Sequence, residues 1–129
     1  MTLTLKEKWH RYICEEEYIG YEFYLDDLLC GDGYVYIGTK EINRFGNLGY
    51  HILEEYQHRG YATTACHKLI AILQSKHLNK IYIMVDKDNV YSNKLCKRIG
   101  GKLISSVKDG VSAKKQLLHG IGLDGRNIS

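Results

Sequence analysis

The segment 48–62 constrains this chain more than any other. Residues 48–53 form a short apolar run that reads as a strand. The turn Gln57-His58-Arg59-Gly60-Tyr61-Ala62 follows and opens into an amphipathic helix over residues 63–77. Ala62, Cys66, Leu69 and Leu73 share one stripe at helical spacing, widened by Ala65 and Ile72. A strand, a glycine turn and a helix start in series make an anion site. The first backbone N–H groups of a helix have no partner inside it, and they sit at the positive end of the macrodipole. Gly60 lets the backbone approach a ligand with no side chain in the way. Ala62 is small enough to leave the helix entrance open.

The rest of the chain reads as strands, then an alternation of strand and helix. Strands are expected at 9–14, 18–25 and 34–42, the last with Val35, Ile37 and Thr39 on one side. Glu15-Glu16-Glu17 is a polar break or the solvated end of a hairpin. Residues 26–33 read as a turn with Asp32-Gly33 at its tip, and 43–47 as another. The nearly continuous apolar run 81–85 suits a strand covered on both faces. Residues 92–99 read as a helix with Leu95, Cys96 and Ile99 inward, ended by Gly100-Gly101. A strand at 102–107, a turn at Asp109-Gly110 and a hairpin partner at 111–118 follow. From Gly120 the chain is glycine-rich and polar and is expected to fray.

Composition excludes several classes. With 129 residues the chain supports one modest core, so a single domain over residues 1–129 is expected. No stretch approaches the length of a membrane span, and no secretory signal pattern opens the chain. The four cysteines lack CxxC spacing, which argues against a zinc site or a disulfide scaffold and fits a reducing cytoplasm. His10, His58, His67, His77 and His119 show no metal-ligand spacing, so no metal is expected. A net charge of +3 is no nucleic-acid signature but suits an anionic cofactor. The eleven tyrosines could stack bases, yet strand propensity accounts for most of them and no RNA-binding motif accompanies them.

A second segment, Asn89-Val90-Tyr91-Ser92-Asn93-Lys94-Leu95-Cys96, adds to the glycine turn. Together the two resemble the GNAT superfamily of N-acetyltransferases, over residues 49–104. Gln57, Gly60 and Ala62 match the fixed positions of that family's Q/R-x-x-G-x-G/A pyrophosphate loop. Gly49-Tyr50-His51-Ile52 is similar to the strand ahead of that loop in the branch that acetylates protein N-termini and small amines. Asn89 and Ser92 match the family's N-x-x-S/A helix. The resemblance implies an α+β fold, three-layered, whose mixed and largely antiparallel sheet splays open between strands 48–53 and 81–85, with helices flanking it. It implies acetyl-CoA as cosubstrate, seated in that opening. Ile52 and Leu53 would offer backbone groups to the pantetheine. His58, Arg59, Gly60, Tyr61, Ala62 and Thr63 would surround the pyrophosphate, and Lys94 could reach the ribose 3′-phosphate. The family's usual first strand and two helices are absent here, or reduced to about seventeen residues.

Acetyl transfer to an amine needs a route for the amine proton, a donor for the oxyanion and, for some leaving groups, an acid. The family's commonest acid, a tyrosine seven residues after the helix asparagine, is replaced here by Cys96. Cys96 and Ser92 are the candidate acids, and a backbone N–H between Tyr50 and Leu53 the candidate oxyanion donor. For the base, Met84 and Gly46 stand where relatives carry glutamate. His51 has the right chemistry, although strand alternation sets it opposite Tyr50 and Ile52. Glu22 and Glu41 could also reach the cleft. The resulting expectation is a cytoplasmic N-acetyltransferase acting on a primary amine, a small molecule or a protein N-terminus, without nucleic-acid or membrane partners. The alternative is a coenzyme A-binding module of the same fold. A homodimer through residues 102–118 is expected, because a reduced helical cover leaves sheet edges and apolar surface exposed.

Overall fold

The computed structural model describes residues 2–38, 46–108 and 115–123. Strands β1 (Leu3–Ile13), β2 (Glu16–Leu25), β3 (Leu28–Ile37) and β4 (Leu48–Ile52) form an antiparallel meander in the order β1-β2-β3-β4. A single 3-10 turn, Glu54–Tyr56, leads to helix α1 (Tyr61–Ser75). Strand β5 (Lys80–Asp86), helix α2 (Val90–Arg98), β6 (Lys102–Lys108) and β7 (Lys115–Gly122) complete the fold, with a second sheet ordered β5-β7-β6. This is the expected α+β arrangement, with helices flanking a sheet divided between β4 and β5.

Local chemistry explains the hairpins and corrects several boundaries. Cys14 and Glu15 both take positive φ, the geometry a two-residue hairpin loop needs, so Glu16 and Glu17 belong to β2. The first strand accordingly runs from Leu3 rather than Trp9, with a bulge between Glu7 and Trp9. The next turn is Asp26-Asp27, with Asp26 at φ +55°. Asp32-Gly33 is therefore not a turn tip: Asp32 pairs with Glu22 and His51 in mid-strand, where its side chain stays in solvent. Glu41, Thr39 and the Asp109-Gly110 turn lie outside the described residues.

Helix α1 buries Ala62, Ala65, Cys66, Leu69, Ile70 and Leu73 against β1, β3 and β4. Ile70, at i+4 from Cys66, closes one margin of the stripe, while Ile72 at the other margin is half-buried. Gly120 and its neighbours do not fray. They extend β7 alongside β5, and Ile121 and Leu123 are buried. Ile121 and Leu123, at alternate positions, anchor residues 120–123, while 124–129 lie outside the described residues.

The two sheets are joined at Asn47, next to an isolated bridge between Gly46 and Ile83. Asn47 is 1% exposed and fills its hydrogen-bonding capacity across both of them. Its carbonyl accepts from Tyr36 N–H at 2.7 Å, the last step of the β3–β4 ladder. Its N–H turns away from β3 and donates to the Tyr82 carbonyl on β5 at 2.6 Å, while its Oδ1 accepts from Tyr82 N–H at 2.8 Å. The Nδ2 group takes the place the N–H left, donating to the Tyr36 and Gly38 carbonyls, each at 3.0 Å. Beyond this knot β4 stays with β3 and β5 with β7, so a cleft opens between β4 and β5.

Candidate active site

Strand β4 presents one backbone edge to the cleft. The Leu53 N–H is bonded to the Cys30 carbonyl at 2.8 Å. Alternation along an antiparallel ladder then directs the amides of His51 to β3, and those of Tyr50 and Ile52 to the open edge. Leu53 is therefore not a free-edge residue, contrary to expectation, because its N–H is spent within the sheet. The Ile52 carbonyl is taken by the Gln57 side-chain amide at 2.8 Å, which ties the loop to the strand. The Tyr50 and Ile52 N–H groups and the Tyr50 carbonyl remain to meet a ligand.

The loop after β4 turns through left-handed positions at His58 (φ +62°) and Gly60 (φ +86°). Such reversals turn successive N–H groups toward one concavity. Gly60 is the N-cap of α1, no side chain caps the helix, and its first turn carries no acidic residue. The α1 N-terminus thus keeps its backbone donors and its positive end available to an anion.

Helix α2 faces this loop across the cleft. Asn89 is its N-cap, with its side chain accepting from Ser92 N–H at 3.0 Å, so the helix starts at Val90 rather than at Ser92. Ser92 Oγ lies 2.9 Å from the Tyr50 hydroxyl, a hydrogen bond that spans the cleft from α2 to β4. Burial pushes the Tyr50 hydroxyl well above the ordinary tyrosine range, with the Ser92 contact opposing and the nearby thiols of Cys66 and Cys96 adding to the rise. Tyr50 is therefore a neutral hydrogen-bonding group at any working pH.

Tyr50, His51, Ile52, Gln57, His58, Ala62, Asn89 and Ser92 line one cavity of about 200 Å³, together with Tyr56 and Tyr91. Sequence motifs 30 or so positions apart are thereby brought to one place. Tyr56 and Tyr91 were not singled out by sequence. The Tyr91 ring meets that of His58 edge-on at 5.4 Å across the cleft mouth, a contact no local pattern signals. Arg59 and Lys94 are exposed and do not line this cavity. Cys96 does not line it either. It is fully buried, and burial pushes its thiol up to about 12. A thiol with that burial packs the core beneath Tyr50, so the expectation of Cys96 as an acid at the cleft surface is not met. Among the described residues no group of His, Cys, Asp or Glu is placed to hold a metal ion.

A buried pair behind α2 fixes that helix. His119 on β7 is 1% exposed, and its Nε2 is 2.8 Å from Asn93 Oδ1. The Asn93 side-chain amide in turn donates to the carbonyls of Asp86 and Asn89, at 3.1 and 2.9 Å. With Asn93 donating elsewhere, its oxygen accepts from His119 Nε2–H, and the ring is neutral. Its buried Nδ1 has no partner among the described residues. Desolvation lowers the His119 pKa, with the Lys97 charge adding to the effect. The pair holds the turn that aims Asn89 and Ser92 into the cleft.

Comparison with known proteins adds to this geometry. A family model described as the acetyltransferase (GNAT) domain matches residues 3–102. The Bacillus subtilis (strain 168) protein "Putative ribosomal N-acetyltransferase YdaF" is 28% identical over 109 residues, 84% of this chain and 59% of that protein. A crystal structure of a probable acetyltransferase superimposes with a TM-score of 0.72 at 24% identity, covering 84% of this chain and 64% of the other. The ribosomal L7/L12 alpha-N-protein acetyltransferase RimL, in complex with coenzyme A, gives 0.70 at 16% identity over 84% and 64%. Mycobacterium smegmatis RimJ, in complex with a CoA-disulfide, gives 0.72 at 19% identity over 83% and 54%. At these identities the structural matches speak for the fold. This chain spans roughly three-fifths of the length of these proteins.

Proposed function

Because the chain belongs to the GNAT acetyltransferase family, which its match over residues 3–102 shows, we propose that it is an acetyl-CoA-dependent N-acetyltransferase. In this reading acetyl passes to a primary amine, on a small molecule or a protein N-terminus, by direct attack in a ternary complex. One observation carries the proposal. The cavity between β4 and α2 joins a free strand edge, an uncapped helix N-terminus and a hydroxyl pair in one place.

Each part has a role toward the cosubstrate. The N–H groups between His58 and Thr63 hold the pyrophosphate, and Lys94, exposed on α2, approaches the ribose phosphate. The pantetheine pairs with the edge groups of Tyr50 and Ile52 as an added strand would, and one of their N–H groups faces the oxyanion. Resemblance to relatives named for ribosomal protein acetylation makes a protein N-terminus one acceptor to try. The whole reading concerns the described domain as a single unit. A homodimer through the β6–β7 side, where Leu103 is exposed, belongs to the same proposal, and light scattering checks it.

Acetyl-CoA is expected to raise the melting temperature by mass action, and a panel of amines and N-terminal peptides to be acetylated. Gly60→Val is expected to remove the shift while the protein stays folded. Nothing lies within 4 Å of the added Cβ, so the cost falls on the backbone, which must leave φ +86°. A wild-type protein with no shift at saturating acetyl-CoA would overturn the cofactor assignment. A shift with no acceptor turned over would leave the non-catalytic module.

A further inference from the structure

The amine that attacks the thioester must lose a proton, and His51 and His58 are the imidazoles that line the cleft. We propose that His51 is the general base, oriented by Asp32, and that the acceptor amine reaches it over the face of the β1–β4 sheet opposite α1. The proposal rests on the acetyltransferase reading above.

Strand alternation sets His51 on that outer face, while Tyr50 packs toward the core. The outer face carries a second cavity, a trough of about 300 Å³, whose lining includes Trp9, Glu22, Asp32, Tyr34 and His51. Its depth comes from a bare strand. The Tyr34 ring lies over Gly49 so closely that a Cβ there would come within 2.2 Å of it. His51 lines both this trough and the cofactor cavity, as does its neighbour Tyr50. A molecule in the trough and an acyl group in the cleft would each border His51. Opposition to Tyr50 across the strand, which counts against His51 when base and cofactor are sought on one face, is what the reaction needs when the two substrates enter from opposite faces.

Glu22, another candidate base lining the trough, is already engaged. Glu22 is held by Lys8 at 3.1 Å and accepts from the Tyr24 hydroxyl at 3.2 Å. The Lys8 contact, first among the causes, keeps its carboxyl below the usual range, and a carboxylate so held is a poor base. His58 sits on the cofactor loop against Tyr91. His51 Nδ1 faces Asp32 Oδ1 at 3.9 Å, which biases the orientation of the ring. That leaves Nε2 as the nitrogen to take the proton.

The step balances without any further reactant. The lone pair of the neutral amine attacks the thioester carbonyl carbon, and an amine proton passes to His51 Nε2. The C–S bond breaks, its electron pair leaves on the coenzyme A sulfur, and the sulfur takes a proton relayed from water through the Tyr50–Ser92 hydroxyls. The imidazolium and the hydroxyl pair return to their starting states through water. The products are the amide and the free thiol.

Turnover of the amine panel is measured for wild type, His51→Gln, His51→Ala and Asp32→Asn, with the acetyl-CoA melting shift as the measure of cofactor binding. His51→Gln and His51→Ala are expected to lower kcat/KM by about a hundredfold or more with the melting shift intact. Free imidazole is expected to restore part of the lost rate in His51→Ala, because the trough is open. Asp32→Asn is expected to lose less, and imidazole to leave it unchanged. A His51→Ala protein with wild-type turnover overturns the assignment while the acetyltransferase reading stands. A lost rate that imidazole does not restore also overturns it, since a purely structural histidine gives that result. A wild type that binds acetyl-CoA and acetylates no amine overturns both.

Discussion

Replacing Asn47 with leucine is expected to lower the free energy of unfolding by about 4 kcal/mol and to weaken acetyl-CoA binding as well. The substitution keeps the branched shape but leaves the carbonyls of Tyr36 and Gly38 and the N–H of Tyr82 without the partners they now have. Each buried group left unsatisfied costs about 1–3 kcal/mol. The binding effect follows from position. Asn47 is where β4 leaves β5, so a loosened knot changes the angle at which the Tyr50 edge and α2 face each other. Asn47→Asp removes the donor and keeps the acceptor: Oδ1 still accepts from Tyr82, while the two carbonyls on the β3 side lose their donor and a charge is buried. It is expected to cost at least as much as leucine. Urea unfolding gives the stability, and the acetyl-CoA melting shift the binding. A loss under about 1 kcal/mol for the leucine variant would show that the sheets are joined by packing and not by this residue.

Asn47 also marks where sequence reading stops. Residues 43–47 read as a turn, and an asparagine beside a glycine gives no hint of anything else. Its role depends on Tyr82, 35 positions away, and only the fold supplies that pairing. The glycine turn and the helix start were legible because their determinants are local. Gly60 at φ +86° and the Asn89 cap on Ser92 are each contained within one turn of chain. Asp32-Gly33 misled for the same reason. Local propensity makes Asp-Gly a turn, but Asp26 had already turned the chain six residues earlier. The remaining β-strand was long enough to carry Asp32 on a solvated face. Leu53 shows a finer limit. Its strand was placed correctly, yet which amides face outward depends on register with β3, which alternation of side chains does not fix.

The largest loss of rate on the cofactor side of the cleft is expected at the hydroxyl pair. Tyr50 and Ser92 lie 42 positions apart and meet at 2.9 Å across the cleft. Neither hydroxyl titrates near neutral pH, so neither acts as a free acid. In the proposed reaction they act as a short chain in which one hydroxyl donates to the leaving sulfur as the other donates to it. The Asn89 cap fixes the serine, and burial fixes the tyrosine. Tyr50→Phe and Ser92→Ala are each expected to lower kcat about a hundredfold, the usual size of a lost proton donor, with the acetyl-CoA melting shift nearly unchanged. Because the two act as one unit, the double variant is expected to fall no further than the worse single one. Cys96→Ala serves as the comparison. Removing a fully buried thiol is expected to cost stability and leave turnover of the folded protein close to wild type. Additive losses in the double variant would mean that the hydroxyls serve separate ends. Full turnover in Tyr50→Phe would mean that the sulfur leaves unaided or takes its proton from water, and the contact across the cleft would then be a clamp on α2.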